Sequence, residues 1–265
     1  LAYQGARREG WGVSLHVEVL GRGEDLVLLH GWAMHGGIWH GVAERLAAHF
    51  CVHLVDLPGH GYSGVVEPYG LDAIAARVAA EFRHPVHVLG WSLGGAVAMR
   101  WALDYPLALR KLVLVASSPC FQQRDDWPVA MQREVLARFA RELKTNYEVT
   151  LRRFIALQAL GGAANREVLR RLQDKLFERG KPAEQVLGSG LDLLRDVDMR
   201  HELQHLDLPT LLIYGERDAL TPSAAGRWLA DTLPDNQLLL LKDASHAPFI
   251  SHADLFVQQV LAFLR

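Results

Sequence analysis

The chain has 265 residues, of which half are hydrophobic and 22% are charged, and its formal net charge is −2. This composition is typical of a globular protein with a sizeable core, and it argues against nucleic-acid binding, which needs a strong basic excess. No apolar run reaches the roughly 18 to 20 residues that span a bilayer, and residues 1–11 lack the apolar stretch of a signal peptide. We expect a cytoplasmic monomer that binds neither nucleic acid nor membranes.

Two cysteines, Cys51 and Cys120, are the only thiols of the chain. Two thiols in a chain of this length do not form a disulfide framework. We expect both to be reduced and buried.

Short runs rich in Leu and β-branched residues recur along the chain, separated by helical patterns. Several are apolar almost throughout, as are strands that are buried on both faces of a parallel sheet. The runs cover residues 13–20, 26–30, 51–55, 86–89, 112–116, 211–214 and 238–241. Their alternation with helices predicts the α/β class, with a mainly parallel central sheet and flanking helices.

The strand-like runs stop between about Pro119 and Arg195. Four helical patterns follow one another there, at residues 129–143, 147–160, 165–177 and 185–194. Four consecutive helices without a strand between them cannot all be ordinary crossovers of a parallel sheet. We predict a helical lid at residues 119–195, inserted into a core of residues 1–118 and 196–265. The alternative is that these helices simply pack on the sheet.

The strongest local motif is Gly90-Trp91-Ser92-Leu93-Gly94-Gly95, which matches G-x-S-x-G. A predicted strand runs into it, and a predicted helix over residues 94–104 leaves it. A sharp strand-to-helix turn strains the backbone of the serine, so small residues are required on either side. We predict Ser92 as a nucleophile exposed at the carboxyl edge of the sheet.

A serine hydroxyl is a poor nucleophile near neutral pH and needs a base within hydrogen-bonding reach. The α/β-hydrolase fold orders its residues as Ser, then acid, then His. Asp218 follows the strand at residues 211–214, and His246 follows the strand at residues 238–241. We predict His246 as the base and Asp218 as the acid that orients it.

Other residues could take these two roles. Glu216 lies near Asp218, and Asp243 shares a loop with His246 but follows a different strand from the predicted acid. His252 lies at the start of the last helix, where a capping or surface role is expected.

An oxyanion hole needs two backbone donors. We predict the N–H of Leu93, directly after the nucleophile, and the N–H of Trp32, in the loop after the strand at residues 26–30. The Trp32 indole is then expected to form one wall of the pocket. We interpret His30 as structural, holding this loop by side-chain hydrogen bonds.

Residues 56–63, Asp-Leu-Pro-Gly-His-Gly-Tyr-Ser, form a glycine-rich turn to which we also assign a structural role. No Cys/His/Asp cluster has metal-ligand spacing, and no phosphate-binding loop is present. We therefore expect neither a metal nor a cofactor.

The motifs described so far are shared by many α/β-hydrolases, but three further stretches are more discriminating. They are Val115-Ala116-Ser117-Ser118-Pro119-Cys120-Phe121 with Trp127-Pro128, Arg153-Phe154-Ile155-Ala156-Leu157-Gln158, and His246-Ala247-Pro248-Phe249-Ile250-Ser251-His252. These stretches resemble the pimeloyl-acyl-carrier-protein methyl ester esterases of biotin synthesis, and the similarity runs over nearly the whole chain, lid included. The resemblance implies a serine carboxylesterase that cleaves the methyl ester of a pimeloyl chain on acyl carrier protein.

The resemblance also implies an acyl site, lined by Trp32, Ser92, Leu93, His246 and the lid residues Phe154, Ile155, Ala156, Leu157 and Gln158. The lid of the family uses arginines to bind the acidic carrier, and Arg153, Arg166 and Arg170 occupy matching positions. One position departs: this chain has Val149 where the family can carry another arginine, with Arg152 nearby.

The charge pattern of the lid is an independent observation. Between Arg133 and Arg171 there are nine basic and four acidic residues, in a chain whose net charge is −2. Such a face can steer an acidic partner, although a solvated helix surface has the same pattern. The main alternative function is a broad-specificity carboxylesterase for short acyl esters, without a carrier partner. A non-catalytic binding module is the other.

Overall fold

The computed structural model describes residues 14–162 and 164–265. Residues 1–11, where no signal peptide is expected, and Val13, at the start of the first predicted strand, lie outside the described residues. Within them, no helix is long and apolar enough to cross a bilayer.

The described residues contain a seven-stranded sheet of order β1-β3-β2-β4-β5-β6-β7. Only β1 is antiparallel to its neighbour, and the other strands run parallel. The predicted mainly parallel α/β sheet is therefore confirmed. The strands are β1 (Val17–Gly21), β2 (Asp25–Leu29), β3 (Cys51–Val55), β4 (Val86–Trp91), β5 (Leu109–Val115), β6 (Thr210–Gly215) and β7 (Asn236–Leu241).

Helices connect the strands and cover both faces of the sheet, which explains the apolar strand sequences. Every residue of β4 and of β6 is buried. The α-helices are α1 (His40–Leu46), α2 (Leu71–Ala79), α3 (Leu93–Asp104), α4 (Arg133–Leu143), α5 (Tyr147–Ala159), α6 (Asn165–Lys175), α7 (Glu184–Asp196), α8 (Ser223–Thr232), α9 (Pro248–Ser251) and α10 (Ala253–Leu264). Short 3₁₀ helices occur at Gly36–Trp39, Pro106–Ala108 and Glu202–His205.

The helices α4 to α7 follow one another between β5 and β6. Each is amphipathic and buries an apolar face, with Leu136 and Phe139 on α4 and Leu187 and Leu191 on α7 among the buried residues. The division into a core and a lid remains a prediction, and we use "lid" below for residues 119–195.

Both cysteines are free, but only Cys120 is fully buried. The prediction that both are buried is therefore wrong for Cys51, which is only partly covered. Cys51 is the first residue of β3, next to the edge strand β1, where its paired residue is Gly21.

Candidate active site

Ser92 lies in a strained turn between β4 and α3. Its φ of 55° and ψ of −119° are unusual for a residue with a side chain, and such strain persists only where the surroundings enforce it. The neighbouring glycines have no space for a side chain. A Cβ on Gly90 would lie 2.4 Å from the carbonyl oxygen of Gly94, and one on Gly94 would lie 2.4 Å from that of Leu29. The two glycines of the G-x-S-x-G motif are therefore required by close backbone contacts around Ser92.

Asp218 and His246 form a buried hydrogen bond. His246 Nδ1 lies 2.8 Å from Asp218 Oδ2, and the two side chains are 2% and 0% exposed. The other carboxylate oxygen of Asp218 accepts the backbone N–H groups of Leu220 and Thr221, at 2.8 and 2.9 Å. Three donors therefore hold the carboxylate in one orientation, and it in turn orients the imidazole.

Trp91 joins the serine turn to the histidine loop. Its indole Nε1 donates to the backbone oxygen of His246 at 2.8 Å, and Trp91 directly precedes Ser92. No hydrogen bond joins Ser92 Oγ to His246 within the described residues. Such contacts are often loose without substrate and tighten when it binds.

Neither rival acid competes for His246. Glu216 is exposed. Asp243 is partly buried and faces Arg217, with 3.5 Å between Asp243 Oδ1 and a guanidinium nitrogen. The structure therefore brings Asp218, and neither of these carboxylates, to the imidazole of His246.

The predicted oxyanion loop lies directly against the serine. A Cβ on Gly31 would lie 3.3 Å from Ser92 Cβ, so the backbone leading into Trp32 passes beside Ser92. Leu93 is the first residue of α3, and its N–H has no acceptor within the helix. Both predicted donors thus belong to backbone that adjoins Ser92.

The indole of Trp32 connects this loop to the lid. Its Nε1 donates to the backbone oxygen of Leu187 in α7 at 3.0 Å. Its ring meets Phe154 of α5 edge-to-face, with 4.6 Å between ring centroids. The contact of α7 with Trp32 was not predicted from the sequence. A glycine within a helix, here Gly190, can indicate close packing, and a Cβ on Gly190 would lie 2.7 Å from the Trp32 ring.

The predicted acyl-site stretch of α5 does not present all its residues to the same side. Phe154 and Gln158 are buried, and the backbone oxygen of Gln158 accepts the backbone N–H of His246 at 3.1 Å. Ile155 is also buried and Leu157 partly so, whereas Ala156 is exposed. Residues four apart share a helix face, so Ala156 lies on the side away from Phe154 and Gln158.

The three residues of the candidate site are buried, and helices α5 and α7 contact the loops beside them. With backbone and side chain taken together, the exposed fractions of Ser92, Asp218 and His246 are 7%, 6% and 1%. The contacts of α5 and α7 with His246 and Trp32 contribute to this burial.

His30 has the structural role predicted for it. Its Nε2 accepts the backbone N–H of Leu57 at 2.9 Å, and Nδ1 lies 2.8 Å from the oxygen of Gly31, so it joins two loops. Burial, with His60 nearby, lowers the pKa of His30 to about 3. The ring is therefore neutral, with the proton on Nδ1.

Asp56, from the turn at residues 56–63, anchors the lid to the core. It is fully buried and accepts the N–H of Gly36 at 2.7 Å and of Tyr62 at 2.9 Å. Arg179, in the lid, bonds Asp56 at 2.9 Å and Glu18 at 2.7 Å. Burial acts to raise the pKa of Asp56, but His30, the two N–H groups and Arg179 together lower it. Sequence reasoning missed Arg179, because its partners are distant in the chain.

The three predicted docking arginines are exposed on α5 and α6. Arg153 pairs with Glu142 at 3.1 Å, and Arg170 pairs with Glu167 and Asp174, both at 3.0 Å. Arg166 has no carboxylate within ion-pairing distance among the described residues.

Away from Ser92, the structure forms a cluster that the sequence spacing did not indicate. A carboxylate oxygen of Asp25, the Sγ of Cys51 and a ring nitrogen of His53 all lie within 4.8 Å of one another. Asp25 is distant from Cys51 and His53 in the sequence, so the three residues do not form a metal-ligand motif with short spacing. Two neighbouring strands bring the three together.

The alpha/beta hydrolase fold family model matches residues 26–253. The chain is 46% identical over 252 residues to the pimeloyl-[acyl-carrier protein] methyl ester esterase of Chromobacterium violaceum, covering 95% of this chain and 98% of that one. It is also 46% identical over 254 residues to the enzyme of that name from Aeromonas salmonicida, covering 95% and 100%.

Solved structures share the fold at lower identity. The esterase EaEST from Exiguobacterium antarcticum superposes with a TM-score of 0.85 at 22% identity, covering 95% of this chain and 96% of that one. The sequence matches to the two enzymes above and to the family model show that the chain belongs to the pimeloyl-[acyl-carrier protein] methyl ester esterases, a family of the α/β-hydrolase fold.

Proposed function

We propose that this protein is a serine carboxylesterase that hydrolyses the methyl ester of pimeloyl-acyl carrier protein in biotin biosynthesis. The observation that carries the proposal is the buried hydrogen bond between Asp218 and His246, beside the strained turn of Ser92. The substrate follows from the name of the relatives, which the chain matches over almost its full length.

In the first half of the reaction, His246 Nε2 takes the proton of Ser92 Oγ, and the oxygen attacks the ester carbonyl carbon. Asp218 keeps the proton of His246 on Nδ1, which leaves Nε2 free as the base. The tetrahedral intermediate then collapses. The protonated imidazole gives its proton to the methoxy oxygen, and methanol leaves an acyl-enzyme on Ser92.

In the second half, His246 takes a proton from water, and the resulting hydroxide attacks the acyl carbon. Collapse returns the proton to Ser92 Oγ and releases the free carboxylate of the pimeloyl chain. In both halves the negative charge develops on the former carbonyl oxygen. We assign its stabilisation to the backbone N–H groups of Trp32 and Leu93, whose backbone adjoins Ser92.

We propose that Trp32, Phe154 and Gln158 line the acyl site, with Ser92, Leu93 and His246 at its base. Their support is the ring contact between Trp32 and Phe154 and the bond from His246 to Gln158. Ala156 has less support, since it lies on the exposed side of α5. The lid helices then act as a cover that moves to admit the acyl chain.

The carrier contributes the second part of the proposed substrate. Arg153, Arg166 and Arg170 are exposed on the lid, and an acidic carrier can exchange for their present carboxylate partners. Arg166 has no such partner among the described residues, so its binding to the carrier displaces no internal ion pair. A cytoplasmic monomer, expected from the sequence, is part of the same proposal.

The test compares kcat/KM for pimeloyl-carrier methyl ester with that for a free short-chain aryl ester. Ser92→Ala should abolish both activities. The double variant Arg153→Glu/Arg166→Glu should lower kcat/KM for the carrier ester by at least about ten-fold and change that for the free ester little. Arg227→Glu, an exposed charge reversal on α8, is the matched control.

The outcomes separate the two candidate enzymes. Equal losses on both substrates in the double variant would refute carrier docking. A wild-type preference for the free ester would favour a broad-specificity carboxylesterase, which the same Ser92, Asp218 and His246 geometry also supports. Activity that survives in Ser92→Ala would refute the mechanism.

A further inference from the structure

Three side chains with different ligand atoms meet at the amino-terminal edge of the sheet. Asp25 and Cys51 are the first residues of β2 and β3, and His53 is two residues further along β3. Asp25 pairs with Cys51 in the parallel register, and alternate residues of a strand share a face, so the three project from the same face. Ser92 follows the other end of β4, so this cluster is separate from the candidate active site.

We propose that Asp25, Cys51 and His53 bind a zinc ion, with water as the fourth ligand. Thiolate sulfur, imidazole nitrogen and carboxylate oxygen are the ligands that zinc takes in proteins. Tetrahedral zinc places such ligand atoms about 3.3 to 3.6 Å apart. The three atoms here already lie within 4.8 Å of one another, and Asp25 Oδ1 is 2.7 Å from His53 Nε2. Small side-chain rotations are therefore enough to admit the ion, which replaces the Cys51 thiol proton and the hydrogen bond between Asp25 and His53.

The side chains of the cluster are partly exposed to solvent. In β1, the residue beside His53 is Val19, which is 47% exposed. The side chains of Asp25 and His53 are 37% and 15% exposed. Water can therefore reach the open coordination position.

The surroundings also restrict the set of ligands. Phe82 meets the His53 ring edge-to-face, with 5.2 Å between centroids, and limits its rotation. His87 forms a second pair with Glu24 at 3.2 Å, but His87 is paired with Leu26 and so projects from the opposite face of the sheet. The site thus consists of three protein ligands, and it ties the start of β2 to the start of β3.

A metal in this position should stabilise the fold without entering the esterase reaction. The test uses the full chain, reduced and stripped with a chelator, and titrates it with Zn²⁺ alone. We expect one ion per chain and a rise in Tm of at least about 4 °C when zinc reaches about 100 times its Kd. Loading with Co²⁺ should give a thiolate-to-cobalt charge-transfer band in the near ultraviolet.

Cys51→Ser and His53→Gln should each weaken zinc binding by at least about ten-fold, since even loss of a second-shell partner can cost that much. Cys120→Ser is the matched thiol control and His84→Gln the control for an exposed histidine. If Cys51→Ser folds poorly, His53→Gln still tests the site. Unchanged zinc affinity in both variants, a cobalt band that persists in Cys51→Ser, or no stoichiometric binding by the wild type would overturn the proposal.

Discussion

The backbone N–H of His246 donates to the backbone carbonyl of Gln158 at 3.1 Å, so the candidate catalytic base is bonded directly to lid helix α5. Any displacement of α5 must either break this hydrogen bond or move His246 together with the helix. Trp32 has a similar link to α7 through Leu187. Helices α5 and α7 are thus bonded directly to His246 and Trp32.

Asp218→Asn should lower kcat by about 10⁴ and leave KM nearly unchanged. Leu220 and Thr221 donate to Oδ1, so the asparagine oxygen is held there and its NH₂ group faces His246. That group donates to Nδ1, which moves the imidazole proton to Nε2, where it blocks the base. Steady-state kinetics and a thermal melt check this. A large fall in Tm, or a kcat within about ten-fold of wild type, would contradict it.

Gly190→Ala should disturb the pocket, whereas Gly188→Ala should not. A methyl group on Gly190 would lie 2.7 Å from the Trp32 ring, while nothing lies within 4 Å of the corresponding position on Gly188. Both residues belong to α7, so each substitution gains the same helix propensity, about 1 kcal/mol. We expect Gly188→Ala to raise the free energy of unfolding and keep the activity, and Gly190→Ala to raise KM. Identical kinetics in the two variants would rule out close packing of α7 on Trp32.

Arg179→Met should cost about 3 to 5 kcal/mol of the free energy of unfolding, because it leaves a buried carboxylate without its charged partner. The Arg179 side chain is 8% exposed, and Asp56 is fully buried. Arg170→Met is the control: the Arg170 side chain is 60% exposed, and its loss should change stability by no more than about 0.5 kcal/mol. Urea unfolding at neutral pH measures both. Similar losses in the two variants would mean that Arg179 does not anchor the lid.

Acidification should destabilise the protein from about pH 6.5 downwards. Burial lowers the pKa of His30 to about 3 and that of His60 to about 4, whereas a histidine in the unfolded chain has a pKa of about 6.5. Between these values the unfolded chain binds protons that the folded chain does not, so stability falls as the pH falls. Well below pH 6.5, each of the two rings lowers the free energy of unfolding by about 1.4 kcal/mol for each pH unit of acidification.

His60→Asn should reduce this pH dependence, because the asparagine amide can replace the Nδ1–H that faces the Pro58 oxygen at 3.2 Å without taking up a proton. The exposed His84→Asn is the control and should leave the dependence unchanged. Urea unfolding between pH 7 and pH 5 tests both variants. An equal slope in wild type and His60→Asn would show that His60 titrates normally in the folded state.

Much of the fold was predictable because its signals are local. Strands such as β4 are covered on both faces, so their residues are apolar throughout, and the predicted run 86–89 falls within β4. The run at 51–55 coincides with β3. The predicted helix at residues 185–194 lies inside α7 for the same reason, since its apolar face recurs with the helical period.

The candidate site was predictable where chain order and sheet edge decide it. Ser92, Asp218 and His246 each follow a parallel strand, and parallel strands carry their loops to a common edge. The sequence does not show which of the nearby carboxylates lies within hydrogen-bonding distance of His246. Only the structure shows that Asp218 reaches the imidazole while Asp243 faces Arg217.

By itself, the sequence determined the class of the fold, the strand and helix pattern and the strained serine turn, since each depends on residues close together in the chain. The tertiary structure decided the contacts between distant segments: Gln158 with His246, Leu187 with Trp32, and Arg179 with Asp56. It also decided that Asp25, Cys51 and His53 meet. Side-chain periodicity records which face of an element is buried, but not which distant group it meets, because that depends on how the strands are ordered and how the helices pack.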